Sequence, residues 1–183
     1  MAKRPLPTPE VLRQLLRYEP ETGKLFWKER PLSAFDSVRS ANSWNARFAG
    51  KPALSGINHA GYKAGRIGPR GILAHRAIWA LVHGRWPDQE IDHANGDRVD
   101  NRLENLREAS RAENVRNRGV KEKVGRTGYK GVQPYRNGRF VANIKANGRF
   151  IYLGIFNEAR QAAAAYDAAA LRYHGEFART NFR

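Results

Sequence analysis

The chain contains no cysteine, and it is short of acid: 17 Asp and Glu stand against 33 Lys and Arg in 183 residues. The first absence excludes disulfides, a thiolate zinc site and a cysteine nucleophile. No apolar run approaches the ~18 residues a membrane-spanning helix needs, and no apolar signal region opens the chain. A soluble, cytoplasmic protein without a membrane partner is expected. The imbalance of charge, +16 in formal terms, makes nucleic acid the leading partner over an anionic membrane or an acidic protein. Hydrophobic residues make up 41% of the chain, enough for one ordinary folded domain or two small ones.

The acid is also unevenly spread. From Val120 onward, 12 Lys and Arg face 4 Asp and Glu, so the last third carries about half of the net charge. The stretch "NRGVKEKVGRTG" (117–128) is basic, Gly-rich and without apolar periodicity, which marks a boundary. The expected organisation is a first unit over 1–118, with a core at about 72–117, a linker over 119–127 and a second unit over 128–183. In the first unit, "TPEVLRQLLRYEP" predicts a helix capped by Thr8, with Pro9 at its start and Val11, Leu12, Leu15 and Leu16 as its stripe. "YEPETGKLFWKER" reads as a hairpin, and "GYKAGRIGPRGILAHR" as a second one turning at Gly68-Pro69-Arg70-Gly71. The helix "AIWALVHG" should stop at Gly84. Residues 33–55 give no order.

The second unit has the plainest pattern. "GYKGVQPYRNGRFVANIKANGRFIYLGIF" predicts three strands with turns at Asn137-Gly138 and Asn147-Gly148. Alternation puts Phe140, Ala142 and Ile144 on one face, with Ile151 and Leu153 on the next strand. A helix follows, with Asn157 as its cap and Gly175 as its stop. Its small-residue stripe (Ala159, Ala162, Ala163, Tyr166, Ala169, Ala170, Tyr173) would lie on the apolar face, leaving the basic, aromatic face open.

"IDHANGDRVDNRLENLREASRAENVRN" (91–117) gathers five asparagines and a histidine, residues poor at building a core. The stretch predicts strand, turn-rich loop, strand and helix, the helix opened by a capping box of Ser110 and Glu113. Such a path would return Asn114 to Asp92 and His93, an arrangement suited to phosphodiester hydrolysis. His93 can serve as base near neutral pH. Asp92 and Asn114 offer one charged and one neutral oxygen, which suits Mg²⁺. Asn105 could fix the imidazole, and Arg107 and Arg111 could hold phosphate oxygens. Asp100, Asn101 and Leu103 read as loop builders, and His75 as a packing or capping residue. His59, His83 and His174 show no sign of being ligands.

This segment resembles the HNH endonuclease motif of phage and intron-encoded enzymes, through its Asp-His doublet, "DNRLENL" centre and "S-x-x-EN" helix. The resemblance implies a ββα-metal nuclease fold and a Mg²⁺ cofactor, for which Mn²⁺ can substitute. It also implies His93 as general base, Asn105 as the residue orienting it, Asp92 and Asn114 as metal ligands, and Arg111 near the scissile phosphate.

"GYKGV", "YLGIF" and "EARQAAAAYDAAALRYHGEFARTNF" are similar to the Apetala/ethylene-response-factor DNA-binding domain. That family presents a three-stranded sheet, packed on one helix, to the DNA major groove. By position, the candidates for base contact are Lys130, Gln133, Tyr135, Asn137, Asn143, Lys145, Phe150 and Tyr152. Arg136, Arg139 and Arg149 beside them suit phosphates. Gln133, Tyr135 and Asn137 replace Arg or Trp of the plant domains, so the plant target sequence is not transferred.

The expected fold class is therefore α+β: a ββα-metal nuclease domain followed by a three-stranded antiparallel sheet on one helix. The expected function is metal-dependent cleavage of double-stranded DNA by a monomer or weak dimer. It would be a homing-type nicking enzyme acting in the cytoplasm of a phage-infected or bacterial host, with no small-molecule substrate. The alternatives are a DNA-binding regulator whose nuclease fold is an inactive clamp, and an RNA-directed protein.

Overall fold

The computed structural model describes residues 5–118 and 127–182, and it divides into two units, Met1–Glu108 and Ala109–Arg183. The expected linker, 119–127, lies outside the described residues except for Thr127.

In the first unit, α1 (Pro9–Leu15) begins where the cap predicts: Thr8 accepts the Val11 N–H and Pro9 opens the helix. Leu12 and Leu16 are fully buried while Val11 faces outward. β1 (Leu16–Glu19) and β2 (Lys24–Trp27) form the first hairpin, with Tyr18 opposite Leu25. Residues 33–55 hold α2 (Val38–Phe48), capped by Ser37, and β3 (Pro52–Ala53), which pairs with β2. β4 (Gly56–Ile57), β5 (Lys63–Ile67) and β6 (Arg70–Leu73) make a second antiparallel sheet. Its turn is tighter than expected. Ile67 already pairs with Arg70, so the turn is Gly68-Pro69 alone, and Arg70 and Gly71 belong to the strand. α3 (Ala74–His83) ends at Gly84, whose φ of 69° is the left-handed stop that glycine permits. Its buried residues Ala77 and Ile78 join Leu12, Leu25 and Ile72 in one core that also receives Ile91 and Leu106. Those last two lie on β7 (Glu90–His93) and β8 (Leu106–Ala109), which pair with each other. The loop carrying the polar motif thus leaves and re-enters a strand pair anchored in the apolar core.

The second unit opens with α4 (Arg111–Asn117), where Ser110 and Glu113 form both bonds of the capping box. β9 (Val132–Pro134), β10 (Phe140–Ala146) and β11 (Arg149–Phe156) form an antiparallel sheet in the order 11-10-9. Both Asn-Gly turns are present, with Asn137 and Asn147 at positive φ. A bulge between Ala142 and Asn143 shifts the pairing, placing Asn143 opposite Tyr152 and Lys145 opposite Phe150. α5 (Ala159–His174) starts later than expected: Glu158 occupies the cap position, Asn157 lies before it, and no side chain caps the helix. Ala162, Ala163, Tyr166, Ala169 and Ala170 are buried against Val132, Ala142 and Ile144. Tyr173, expected in that stripe, is partly exposed, and its neighbour His174 turns inward instead. Gly131 has φ 76°, and a Cβ there would stand 1.9 Å from the Tyr166 ring, so no other residue fits without displacing the ring.

The "TNF" end is tied in by buried Asp167. Its Oδ1 accepts from the backbone and side-chain nitrogens of Asn181, and its Oδ2 from the Phe182 N–H. Asn181 in turn exchanges two bonds with the backbone of Lys130, across 51 residues of sequence. Replacing Asn181 by Ala leaves Asp167 with fewer donors, and we expect a loss of about 2 kcal/mol. Urea unfolding of the full chain measures it; an unchanged midpoint would show that water replaces these bonds without cost.

Candidate functional site

β7 delivers Asp92 and His93 on consecutive residues, both buried. Alternation would send one of them to each side of a strand, so the two groups are served by different partners. His93 Nε2 lies 2.9 Å from Oδ1 of Asn101, whose side chain is fully buried. A carbonyl oxygen only accepts, so the ring carries its hydrogen on Nε2 and its lone pair on Nδ1. Burial lowers the pKa of His93, with the Asn101 hydrogen bond and the nearby carboxylates acting in the opposite direction. The ring is therefore mostly neutral at physiological pH. It also rests against two others: His75 meets it edge-on at 5.0 Å between centroids, and Tyr62 lies 5.8 Å away.

Asn101 was expected only to build the loop. Its aim depends on residues far away in sequence. Tyr18 Oη donates to the Asn101 carbonyl at 3.2 Å and accepts the Leu103 N–H at 2.9 Å. Gly23, at the tip of the same hairpin, presses so closely on this backbone that a Cβ would come within 2.5 Å of Arg102 N. The first hairpin thus grips residues 101–103 from outside. Among the described residues, Asn101 Nδ2 is buried without a hydrogen-bond partner, which costs about 1–3 kcal/mol. The hydrogen bond of this side chain is the one its oxygen makes with His93.

Asn105 sits in the site but makes different bonds from those expected. Its Oδ1 accepts the Asn95 N–H at 2.9 Å and its Nδ2 donates to the Asp100 carbonyl at 2.8 Å. Both amide atoms close the loop that follows His93, and it is Asn101 that accepts the hydrogen bond of the imidazole. Asp100 builds the loop as expected: Arg102 grips it through two side-chain nitrogens and its backbone N–H, and Asn95 adds a fourth donor, which holds its pKa at about 2.

Arg107, expected to meet phosphate, instead faces Asp92. Its Nε and Nη2 stand 3.0 and 2.8 Å from Asp92 Oδ2, in a largely buried ion pair. Asn114 and Arg111 lie on α4 in the second unit, where Arg111 lines a cavity of about 640 Å³ with Arg116, Lys130, Lys145, Tyr166 and His174.

Among the described residues, no group of three His, Cys, Asp or Glu is placed to hold a metal ion. The buried carboxylate beside His93 is Asp92. A single carboxylate does not make the closed ligand set of a structural zinc, and a cation held by it would keep most of its hydration, as a hard cation does.

On the sheet of the second unit, most candidate DNA contacts are on the surface. Phe150 is 79% exposed, Tyr152 62% and Tyr135 42%. Gln133, Arg136, Asn137, Arg139, Lys145 and Arg149 are exposed as well, and Asn143 is half-buried. Lys145 lies over the Phe150 ring at 5.6 Å. Large aromatics left in solvent among cations form a surface suited to stacking and phosphate contact. Lys130 departs from the set. Its ammonium donates to the carbonyls of Arg116 and Arg118 at the end of α4, and burial lowers its pKa to about 8. It serves as a helix C-cap here.

Residues 73–116 match the family model described as HNH endonuclease. An uncharacterized HNH endonuclease of Acanthamoeba polyphaga mimivirus is 33% identical over 98 residues, covering 49% of this chain and 25% of the viral protein. An AP2/ERF and B3 domain-containing transcription repressor of Arabidopsis thaliana is 47% identical over 55 residues, 30% of this chain and 15% of the plant protein. An APETALA2-like protein of Oryza sativa is 28% identical over 151 residues, 79% of this chain and 32% of that protein. The chain thus spans between about a seventh and a third of the length of these relatives. No helix among the described residues is long and apolar enough to cross a membrane.

Proposed function

We propose that the chain is a metal-dependent DNA endonuclease that nicks double-stranded DNA, positioned on its target by the exposed sheet of its second unit. The observation that carries this reading is the buried His93, its Nε2–H directed to Asn101 so that Nδ1 holds the lone pair, adjacent to Asp92 inside a segment matching the HNH family. In this reading Nδ1 of His93 takes the proton from the attacking water. Asn101 fixes the ring and its tautomer. Asn105 acts one step back, by closing the loop behind the ring. Asp92 and Asn114 would hold Mg²⁺ or Mn²⁺, which supplies charge neutralisation at the phosphate. Arg107 keeps the Asp92 carboxylate oriented, and Arg111 contacts the scissile phosphate. Exposed Phe150 and Tyr152 with Arg136, Arg139 and Arg149 hold the duplex. A nuclease-like segment followed by an AP2/ERF-like unit favours a homing-type enzyme.

The test uses supercoiled plasmid bearing many candidate sites. With Mg²⁺, open-circular product should accumulate before any linear form, because one such site cuts one strand per engagement; EDTA should abolish it. Linear product without a nicked intermediate at dilute enzyme would overturn nicking. Tight duplex binding with no cleavage under Mg²⁺ or Mn²⁺ would favour a regulator in which the Asp92–Arg107 ion pair excludes the metal.

A further inference from the structure

The motif segment is the acidic part of this basic chain. Residues 88–119 carry eight Asp and Glu against six Arg, whereas residues 30–87 carry nine Lys and Arg against Asp36 alone. A cutting site with a net negative surround repels a polyanion unless cations of its own unit offset the field.

Part of that cationic region is organised around a cavity of about 500 Å³, bounded by the first hairpin, α2 and the turn between β5 and β6. Its walls are Trp27, Trp44 and Phe48, and Arg30 and Arg66 supply its charge. The ring planes brace one another: Trp44 meets Trp27 edge-on at 5.8 Å and Phe48 at 5.2 Å. The Arg30 guanidinium is held between Phe35 and Trp44, 4.8 and 5.1 Å from their centroids. Its main chain is pinned by the Asn45 side chain, which accepts from Arg30 N and donates to Arg30 O. Arg30 Nε is buried without a hydrogen-bond partner among the described residues. Among the described residues, neither Arg30 nor Arg66 forms an ion pair, although Arg13, Arg17, Arg85, Arg102 and Arg107 all do. A guanidinium fixed by stacking, short of acceptors and open to a cavity with a second guanidinium is prepared for an anion.

We propose that this pocket receives a backbone phosphate of the DNA duplex, with the indole and phenyl walls against the neighbouring sugar. It would give the first unit a cationic grip on DNA that does not depend on the sheet of the second unit. The pocket rests on the DNA reading above and adds a binding site to it.

The test is a salt titration of the full chain on a labelled duplex in EDTA, followed by fluorescence anisotropy. One phosphate contact contributes about 0.9 to the slope of log K against log salt. The double substitution Arg30→Gln and Arg66→Gln should lower the slope by about that amount and weaken binding about tenfold, while Arg30→Lys with Arg66→Lys should restore the slope. Arginine-selective modification of the wild-type protein, read by mass spectrometry, needs no variant to fold: duplex DNA should protect Arg30 and Arg66. An unchanged slope, or modification of both arginines indifferent to DNA, overturns the pocket. Protection by single-stranded RNA but not by duplex overturns it too. The controls Arg136→Gln and Arg149→Gln separate the two claims. If they weaken duplex binding and the pocket variants do not, the pocket fails alone; if wild type does not bind duplex, the DNA reading fails with it.

Discussion

Replacing His93 by alanine is expected to slow plasmid nicking by about 10²- to 10⁴-fold, the usual share of a positioned general base, with duplex affinity changed less than about twofold. The small effect on affinity follows from burial: His93 is 3% exposed, so it contributes little surface to a duplex. Asn101→Ala should cost less, about 10- to 100-fold, since it acts on the ring and not on the water. The diagnostic measurement is the double variant. Groups that act as one unit are not additive, so His93→Ala with Asn101→Ala should cleave no more slowly than His93→Ala alone. Multiplied losses would mean that Asn101 has a separate task, such as holding the loop. Asn105→Ala should instead weaken folding along with activity, because its bonds to Asn95 and Asp100 close the loop. If His93→Ala nicks at the wild-type rate, the base is elsewhere and the proposed chemistry is wrong.

What could be read in the sequence follows the range of the forces involved. The Asn-Gly turns, the Ser110–Glu113 capping box and the Gly84 stop are local, each needing a backbone angle or bond within three residues, and each is present. α2 was not legible because Ala41 is its one buried residue, and it is held by aromatic and guanidinium contacts instead of an apolar stripe. The motif placed Asp92 and His93 together, since they are adjacent in sequence. It did not separate the work of Asn101 from that of Asn105. That division is decided by Tyr18 and Gly23, some 80 residues upstream, which press on the backbone of 101–103 and turn one amide toward the ring. Lys130 shows the same limit from the other side. Its position by resemblance suggests a DNA contact, but the carbonyls at the end of α4 engage its ammonium.

Acid should unfold the protein through His75 before most carboxylates titrate. This ring is 3% exposed, packed between Tyr62 and His93, and its Nδ1 lacks a hydrogen-bond partner among the described residues. Burial, helped by His93 and Arg76, pushes its pKa down to about 3 from an ordinary 6.5. Between those values the unfolded chain binds a proton that the folded chain refuses, so stability is complete above pH 6.5 and falls as pH drops toward 3. Each unit of pH in that window costs a little over 1 kcal/mol, which amounts to on the order of 3 kcal/mol by pH 4. His93 adds in the same direction, since its pKa is also lowered by burial. The experiment compares urea unfolding at pH 7 and pH 4 for wild type and His75→Phe. Phenylalanine keeps an aromatic ring against Tyr62 and His93 but has no proton to gain, so the variant should lose less stability than wild type over the same interval. Equal losses in the two proteins would place the acid sensitivity in other groups and show that His75 reaches solvent, or a partner, when protonated. A smaller loss in the variant would tie the fold to the site: the ring that supports His93 is tolerated in the core only while it stays neutral.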